Sequence, residues 1–375
     1  MSVGAARAIA LVAVGALVAC GAGRDREVEA VAPVTPAWQV RASGGMTAIA
    51  VGTDDPALLD AGRCRECHEA IADEWAGSRH ALAWTNGLFQ REYSEAPKPW
   101  CVNCHAPIEP QQAQLAAGGG ALVDQGVNCA TCHVRNGALV AARRAPTSPH
   151  ATTVDPTFGS PAFCADCHEF TFPVLGRDGV PVRMTGHPMQ ATVSSFAAGP
   201  YAREADGCMT CHGSRHGHAF AGGHDADMLG AALEVTWCTA GEQLQLAVTN
   251  INAGHVVPTG DIHRHLLLRV WRSSTPAGVW EAFFGRRFEQ ADDGGKRTVW
   301  DSGLEPRETK RFTVALAALA DGDADADAAE PLNLELVYVY VADEFPRRDR
   351  VPTEPTAATM VRWREAPAAI PRCTP

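Results

Sequence analysis

The sequence predicts an α+β multidomain chain, with a mainly helical or irregular first body followed by an all-β, sandwich-like second one. Three observations carry this. The motif Cys-x-x-Cys-His stands five times between residues 64 and 212. The stretch holding those motifs is rich in Gly and Pro and has few long apolar periodic runs. After residue 233 the pattern changes to short runs in which apolar and polar residues alternate.

The first 19 residues, MSVGAARAIALVAVGALVA, place Arg7 before an apolar run too short to span a bilayer as a mature helix, and read as a secretory signal. The segment Leu17-Val18-Ala19-Cys20 resembles a lipobox, so Cys20 is the expected lipidation site and new N-terminus. Ordinary signal cleavage is the alternative. Residues 20–55, rich in Ala, Val, Gly and Pro without periodicity, read as a flexible tether. The expected location is therefore extracytoplasmic, on the periplasmic side or at the outer membrane, with the membrane reached through a lipid anchor.

Residues 56–233 form the motif-bearing domain. In each motif two thiols one helical turn apart can form thioethers with the two vinyl groups of one porphyrin, and the adjacent imidazole can turn inward to the iron. The cysteine pairs are Cys64 and Cys67, Cys101 and Cys104, Cys129 and Cys132, Cys164 and Cys167, and Cys208 and Cys211. The proximal ligands are His68, His105, His133, His168 and His212. Five covalently attached haems c are expected. A structural zinc site joins two half-motifs into four ligands, and an odd number of pairs, each followed by His, fits that poorly. Thiols three residues apart also make poor disulfide staples. The porphyrins must supply apolar volume that the aliphatic residues do not, so folding should depend on haem loading.

Nine of the fourteen histidines lie outside the motifs. An iron with imidazole on both faces is closed and transfers electrons, whereas an open face can bind a substrate or gas. The candidate distal ligands are His80, His150, His187, His218, His224 and His255. His80 follows Trp75 in a short helical stretch, and His218 and His224 sit among glycines just after the last motif. His255 precedes a Pro-Thr-Gly turn. His263 and His265 are assigned to a strand surface.

Residues 234–375 form the β-domain. The strands expected are 243–250, 265–272, 279–284, 311–316 and 332–341, within a sandwich of about seven. Cys238 and Cys373 belong to no motif, and a disulfide between them is expected in an exported protein. The acidic run 321–330 lacks the Gly and closing Glu of a calcium loop and reads as a solvated loop.

The strings CRECHEAIADEWAGSRHALA, GVNCATCH, MQATVSSF and GCMTCHGSRHGHAFAGGHD resemble the multihaem c-type cytochromes of the cytochrome c-552/c-554 family, which includes tetrahaem carriers serving hydroxylamine oxidoreductase. The resemblance covers roughly residues 60 to 233. It implies a mainly helical domain of stacked porphyrins, with distal roles for His80 and for one or two of His218 and His224. TNINAGHVVPTGDIHRHLLLRV resembles the β-domain appended to multihaem cytochromes of this group, which implies that His255 faces a haem.

The formal net charge of −11, to which haem propionates would add, argues against nucleic acid or an anionic membrane surface as a partner and fits docking to basic patches on redox proteins. The expected function is electron transfer through closely packed bis-His haems in a respiratory or extracytoplasmic redox chain. The alternative is an oxidoreductase acting on a small nitrogen or sulfur compound at one five-coordinate haem. Against the enzyme, every motif ends in His, none in the Lys of pentahaem nitrite reductases.

Overall fold

The structure is a computed structural model describing residues 47–144, 146–203, 207–213, 217–272, 278–319, 330–341 and 357–374. The signal, Cys20 and most of the tether lie outside the described residues, as do His216 and nearly all of the acidic run.

The motif-bearing part is built from short helices, and the motifs close them. Helices Pro99–His105, Cys129–His133, Pro161–His168 and Met209–His212 each end on a motif histidine. Cys64 lies in Ala61–Arg65, and His68 stands at the N-cap of Glu69–Ala76. Local chemistry fixes the starts. Pro99 opens its helix without losing a bond, and the Asn128 carboxamide accepts from the Thr131 amide at 3.2 Å. Ser160 caps the fourth motif helix through the Phe163 amide at 3.3 Å.

Apolar packing here is thin. One cluster gathers Ile49, Val51, Leu59, Ile108, Leu122, Ala130 and Val134, and a smaller one Trp84, Val102, Ala106 and Val123. Between them Gln111 is fully buried, and its carboxamide donates to the Leu122 and Gly126 carbonyls at 2.9 and 2.7 Å. That bond set ties the loop before the third motif to the helix after the second.

The second half is a sandwich of two antiparallel sheets. The five-stranded sheet runs, in spatial order, Lys296–Asp301, Trp280–Gln290, His265–Arg272, Leu332–Val339 and Ala357–Glu365. The three-stranded sheet runs Thr309–Ala315, Gln243–Asn250 and Leu233–Ala240. Their inner faces share one core, in which Leu244, Leu246 and Val248 meet Leu266, Leu268, Leu334, Leu336 and Phe284. Each such Leu contributes about 2 kcal/mol through burial. A disulfide joins Cys238 to Cys373 across 135 residues, and the amide of Cys373 donates to Thr239 at 2.9 Å.

Two features depart from the sequence expectation. Residues 169–191 form a hairpin, Glu169–Leu175 with Pro181–Ala191, inside what reads as a helical or irregular region. It docks on the sandwich: Phe172 meets Phe288 edge-on at 5.3 Å, and Arg286 donates to the Met189 carbonyl at 2.7 Å. Glycine and proline within the hairpin mask its alternation. His265 is buried in a central strand against Phe283, while His263 lies exposed in the preceding loop.

Candidate haem centres

An imidazole Nε2 sits about 1.1 Å from its ring centre and about 2.0 Å from a metal it binds, so two rings on opposite sides of one metal have centroids about 6.2 Å apart. Four histidine pairs stand at this spacing. His68 and His150 are 6.2 Å apart, His80 and His168 6.2 Å, His133 and His218 6.2 Å, and His212 and His255 6.0 Å. Each pair joins a motif histidine to a distal candidate. The last two pairs are near-parallel, at 21° and 7°, and the first two are tilted, at 57° and 50°.

Tautomers suit metal binding. Nδ1 of His133 meets the Val140 carbonyl at 3.0 Å, that of His212 the Ala221 carbonyl at 2.5 Å, and that of His255 the Val256 carbonyl at 2.9 Å. A proton held on Nδ1 by a carbonyl leaves the Nε2 lone pair for iron. His105 has the same arrangement with Ala83 at 2.6 Å. Nδ1 of His150 faces the hydroxyls of Ser148 and Thr152 at 3.1 and 3.3 Å.

Residues 63–134 match the family described as cytochrome c554 and c-prime. The fold is similar to the crystal structure of a penta-heme cytochrome c552 from Thermochromatium tepidum, with a TM-score of 0.63 and 19% identity over 83% of this chain and 100% of that one. No curated protein matches. Residues 63–134 thus carry a multihaem c-type cytochrome signature inside a penta-heme cytochrome fold.

Desolvation favours the neutral form, the one that binds metal, at five of these imidazoles. Burial, with His168 and His212 nearby, pushes His80 down to about 4. Burial likewise pushes His255 down to about 4, against the opposing pull of its Val256 bond. His105, His133 and His168 are lowered by burial too. Burial raises the Cys101 and Cys132 thiols to about 11.

The frame around each distal ligand is specific. The Trp75 indole donates to the Val127 carbonyl at 2.8 Å, which fixes the helix leading to His80 against the GVNCATCH loop. The His218 amide donates to the Glu74 carboxylate at 3.2 Å. For His255, Glu169 follows the motif histidine His168, and its carboxylate caps helix Thr192–Ala198 by accepting from the Val193 and Ser194 amides. From that helix Ser195 accepts the Val256 amide at 2.9 Å. Asn250 donates to the His255 carbonyl at 3.2 Å, and Tyr201 to the Ile251 carbonyl at 2.9 Å. MQATVSSF, read in sequence only as a family string, is thus a brace for the His255 loop.

Two distal candidates are placed elsewhere. His187 lies on the hairpin, half-buried, with its amide on the Thr185 hydroxyl at 3.1 Å. Its hairpin bridges the sandwich, through Arg286 and Met189, and the second motif helix, through Phe170 and Trp100 at 6.4 Å, and among the described residues no motif imidazole is set against its ring. His224 stacks on Tyr340 at 3.9 Å, and its Nε2 accepts from Arg264 at 3.3 Å, so the nitrogen that would bind iron is already engaged.

His105 stands apart. Among the described residues no second imidazole faces it; Phe89 lies parallel on its ring at 3.6 Å and 6°. Its surroundings are the Trp84, Phe89 and Tyr93 aromatic cluster. Five closed irons were the sequence expectation, and the geometry pairs four.

The thiols give an order to the centres. Cys64 is hydrogen-bonded to Cys129, and Cys164 to Cys208. Cys132 and Cys167 interact electrostatically. The first, third, fourth and fifth motifs therefore follow one another in space. Cys101 is instead acted on by Lys98 and Asp261.

Proposed function

We propose that the chain is an exported pentahaem electron carrier in which His68–His150, His133–His218, His80–His168 and His212–His255 are the axial pairs of four closed haems. The observation that carries this reading is the common 6.0–6.2 Å spacing of the four pairs. When bound, haem c supplies a one-electron ferric/ferrous couple at each centre. The chain's own residues then set the order of the centres through adjacent thioether cysteines, and hold each imidazole in place so that little rearranges when charge changes. His68 and His150 are both exposed, so the first centre is the contact point for a redox protein partner. Cys20 would anchor the carrier to the membrane on the periplasmic side or at the outer membrane, and the mass of the mature N-terminus tests that.

A second reading follows from His105. With Phe89 beside it and no second imidazole among the described residues, its iron would keep one face for a small ligand, the arrangement an oxidoreductase acting on a nitrogen or sulfur compound requires. Electron paramagnetic resonance of the oxidised protein with cyanide titration separates the two. One high-spin iron and one cyanide per chain support a ligand-binding centre at the second motif. Five low-spin irons and no cyanide binding leave a carrier only. Cyanide at two or more irons would sink the four axial pairs.

A further inference from the structure

Where the motif-bearing part meets the sandwich, side chains from three segments converge on Arg264. Its Nη2 donates to His224 Nε2 at 3.3 Å, and its guanidinium lies 5.0 Å from the Tyr340 ring centre. His224 stacks on that same ring at 3.9 Å and 19°. Tyr338 stands 5.7 Å from Tyr340, with Gly223 so close beneath it that a Cβ there would lie 3.1 Å from the ring. Arg79 is a second cation acting on both His224 and Tyr340, and Asp261 acts on Tyr338. Against this, Nη1 of Arg264 is buried and meets no hydrogen-bond partner.

A buried guanidinium nitrogen without an acceptor is costly, and here the rest of the group is already fixed by an imidazole and a ring face. The geometry points to an oxyanion site at Arg264, taking a planar carboxylate-type group on Nη1 with His224 and Tyr340 as its braces. Two cations bias the pocket toward a negative ligand, and Arg matches carboxylate better than any other side chain. Such a group has two sources. One is a propionate of a haem, and Arg79 directly precedes His80, whose ring faces His168. The other is a small free carboxylate entering from solvent. The inference rests on the haem reading above and adds to it a role for a sandwich residue: Arg264 would hold the charge beside one haem and thereby set its potential.

The test compares the haem-loaded protein with R264Q and R264K by potentiometric titration, with and without sodium acetate at constant ionic strength. A positive charge beside a haem favours the ferrous form, so its loss should lower one potential. The expected R264Q effect is about a tenfold shift in one haem's oxidised-to-reduced ratio, or about 59 mV for one electron. R264K, which keeps charge and loses the fork, should shift less. A shift in R264Q with no acetate response in the wild type assigns the group to a propionate. An acetate response in the wild type that R264Q abolishes assigns it to a free carboxylate. Potentials unchanged in a fully loaded R264Q, together with no acetate response in the wild type, overturn the site. If R264Q loads poorly, H224Q serves instead: it removes a brace and keeps the cation, and an unchanged titration there likewise overturns it. Failure of the haem reading itself would look different, as a new high-spin signal from the His80–His168 centre.

Discussion

Gly126 is the residue on which the His80 centre most depends without touching it. Its backbone, at φ 55° and ψ −130°, lies where only glycine sits without strain. A Cβ there would lie 2.7 Å from the His80 carbonyl oxygen, 2.8 Å from that of Ala81 and 3.0 Å from the Ala83 nitrogen. All three are backbone atoms and cannot swing aside. Strain of about 1–3 kcal/mol therefore adds to the weakening of two neighbouring bonds at about 1 kcal/mol each, giving a loss of about 3–5 kcal/mol for Gly126→Ala. Those bonds are Val127 N–H to the His80 carbonyl at 2.9 Å and Gln111 to the Gly126 carbonyl at 2.7 Å. The turn that would move carries both His80 and the Ala83 carbonyl that fixes His105, so a change in low-spin absorption should accompany the loss. Urea midpoints and haem spectra of the loaded protein provide the assay. Gly118→Ala is the control, because that glycine has a positive φ and nothing within 4 Å of its Cβ position; about 1 kcal/mol is expected there. A loss below about 1 kcal/mol in Gly126→Ala, with spectra unchanged, would refute the argument that close backbone approach holds His80.

His255→Ala should convert one iron per chain to a high-spin, cyanide-binding centre and leave the sandwich folded, since the shared core of the two sheets lies elsewhere; cyanide stoichiometry and circular dichroism check it. Cys238→Ser should lower stability by at most about 4–5 kcal/mol, from releasing a 135-residue loop, without altering haem spectra. His224, pushed down to about 3 by burial and by Arg264 and Arg79, stays neutral in the folded protein while the unfolded chain takes up a proton below about 6.5. Its contribution is thus complete above about pH 6.5 and declines as pH falls toward 3. Between pH 7 and 5 the decline is about 1 kcal/mol after allowing for a half-exposed ring, and urea midpoints should show His224→Asn removing that part of the slope.

How much of this was readable in the sequence follows from the range of the interactions. The motifs specify attachment through five contiguous residues, so spacing alone locates them. The sandwich was partly readable: 243–250 and 265–272 match the observed strands residue for residue, because alternation there tracks burial directly. Leu233–Ala240, Lys296–Asp301 and Ala357–Glu365 were not singled out, since their exposed faces carry Thr, Trp and Arg instead of a clean polar alternation. Distal ligands are the hardest class. His150 reaches His68 across some eighty residues through an irregular loop, and nothing local distinguishes it from His187, which the hairpin carries to the sandwich. The signal separating His224 from His218 is Tyr340, more than a hundred residues away.

The two lines of geometry that single out the second motif are independent of each other. One is the missing imidazole opposite His105 among the described residues; the other is the thiol contacts, which connect the first, third, fourth and fifth motifs and bring Lys98 and Asp261 to Cys101 instead. A carrier needs neighbouring centres of similar kind, whereas a centre that meets a small ligand needs an open face and a separate environment. On the proposed assignment the second motif is the one suited to meeting a small ligand, and the other four are suited to passing electrons among themselves. Asp261, which acts on both Cys101 and His105, comes from the loop that also holds Arg264. The sandwich therefore does more than cover one end of the motif-bearing part: it sets His255 6.0 Å from His212 and brings the Asp261 carboxylate to the surroundings of Cys101 and His105.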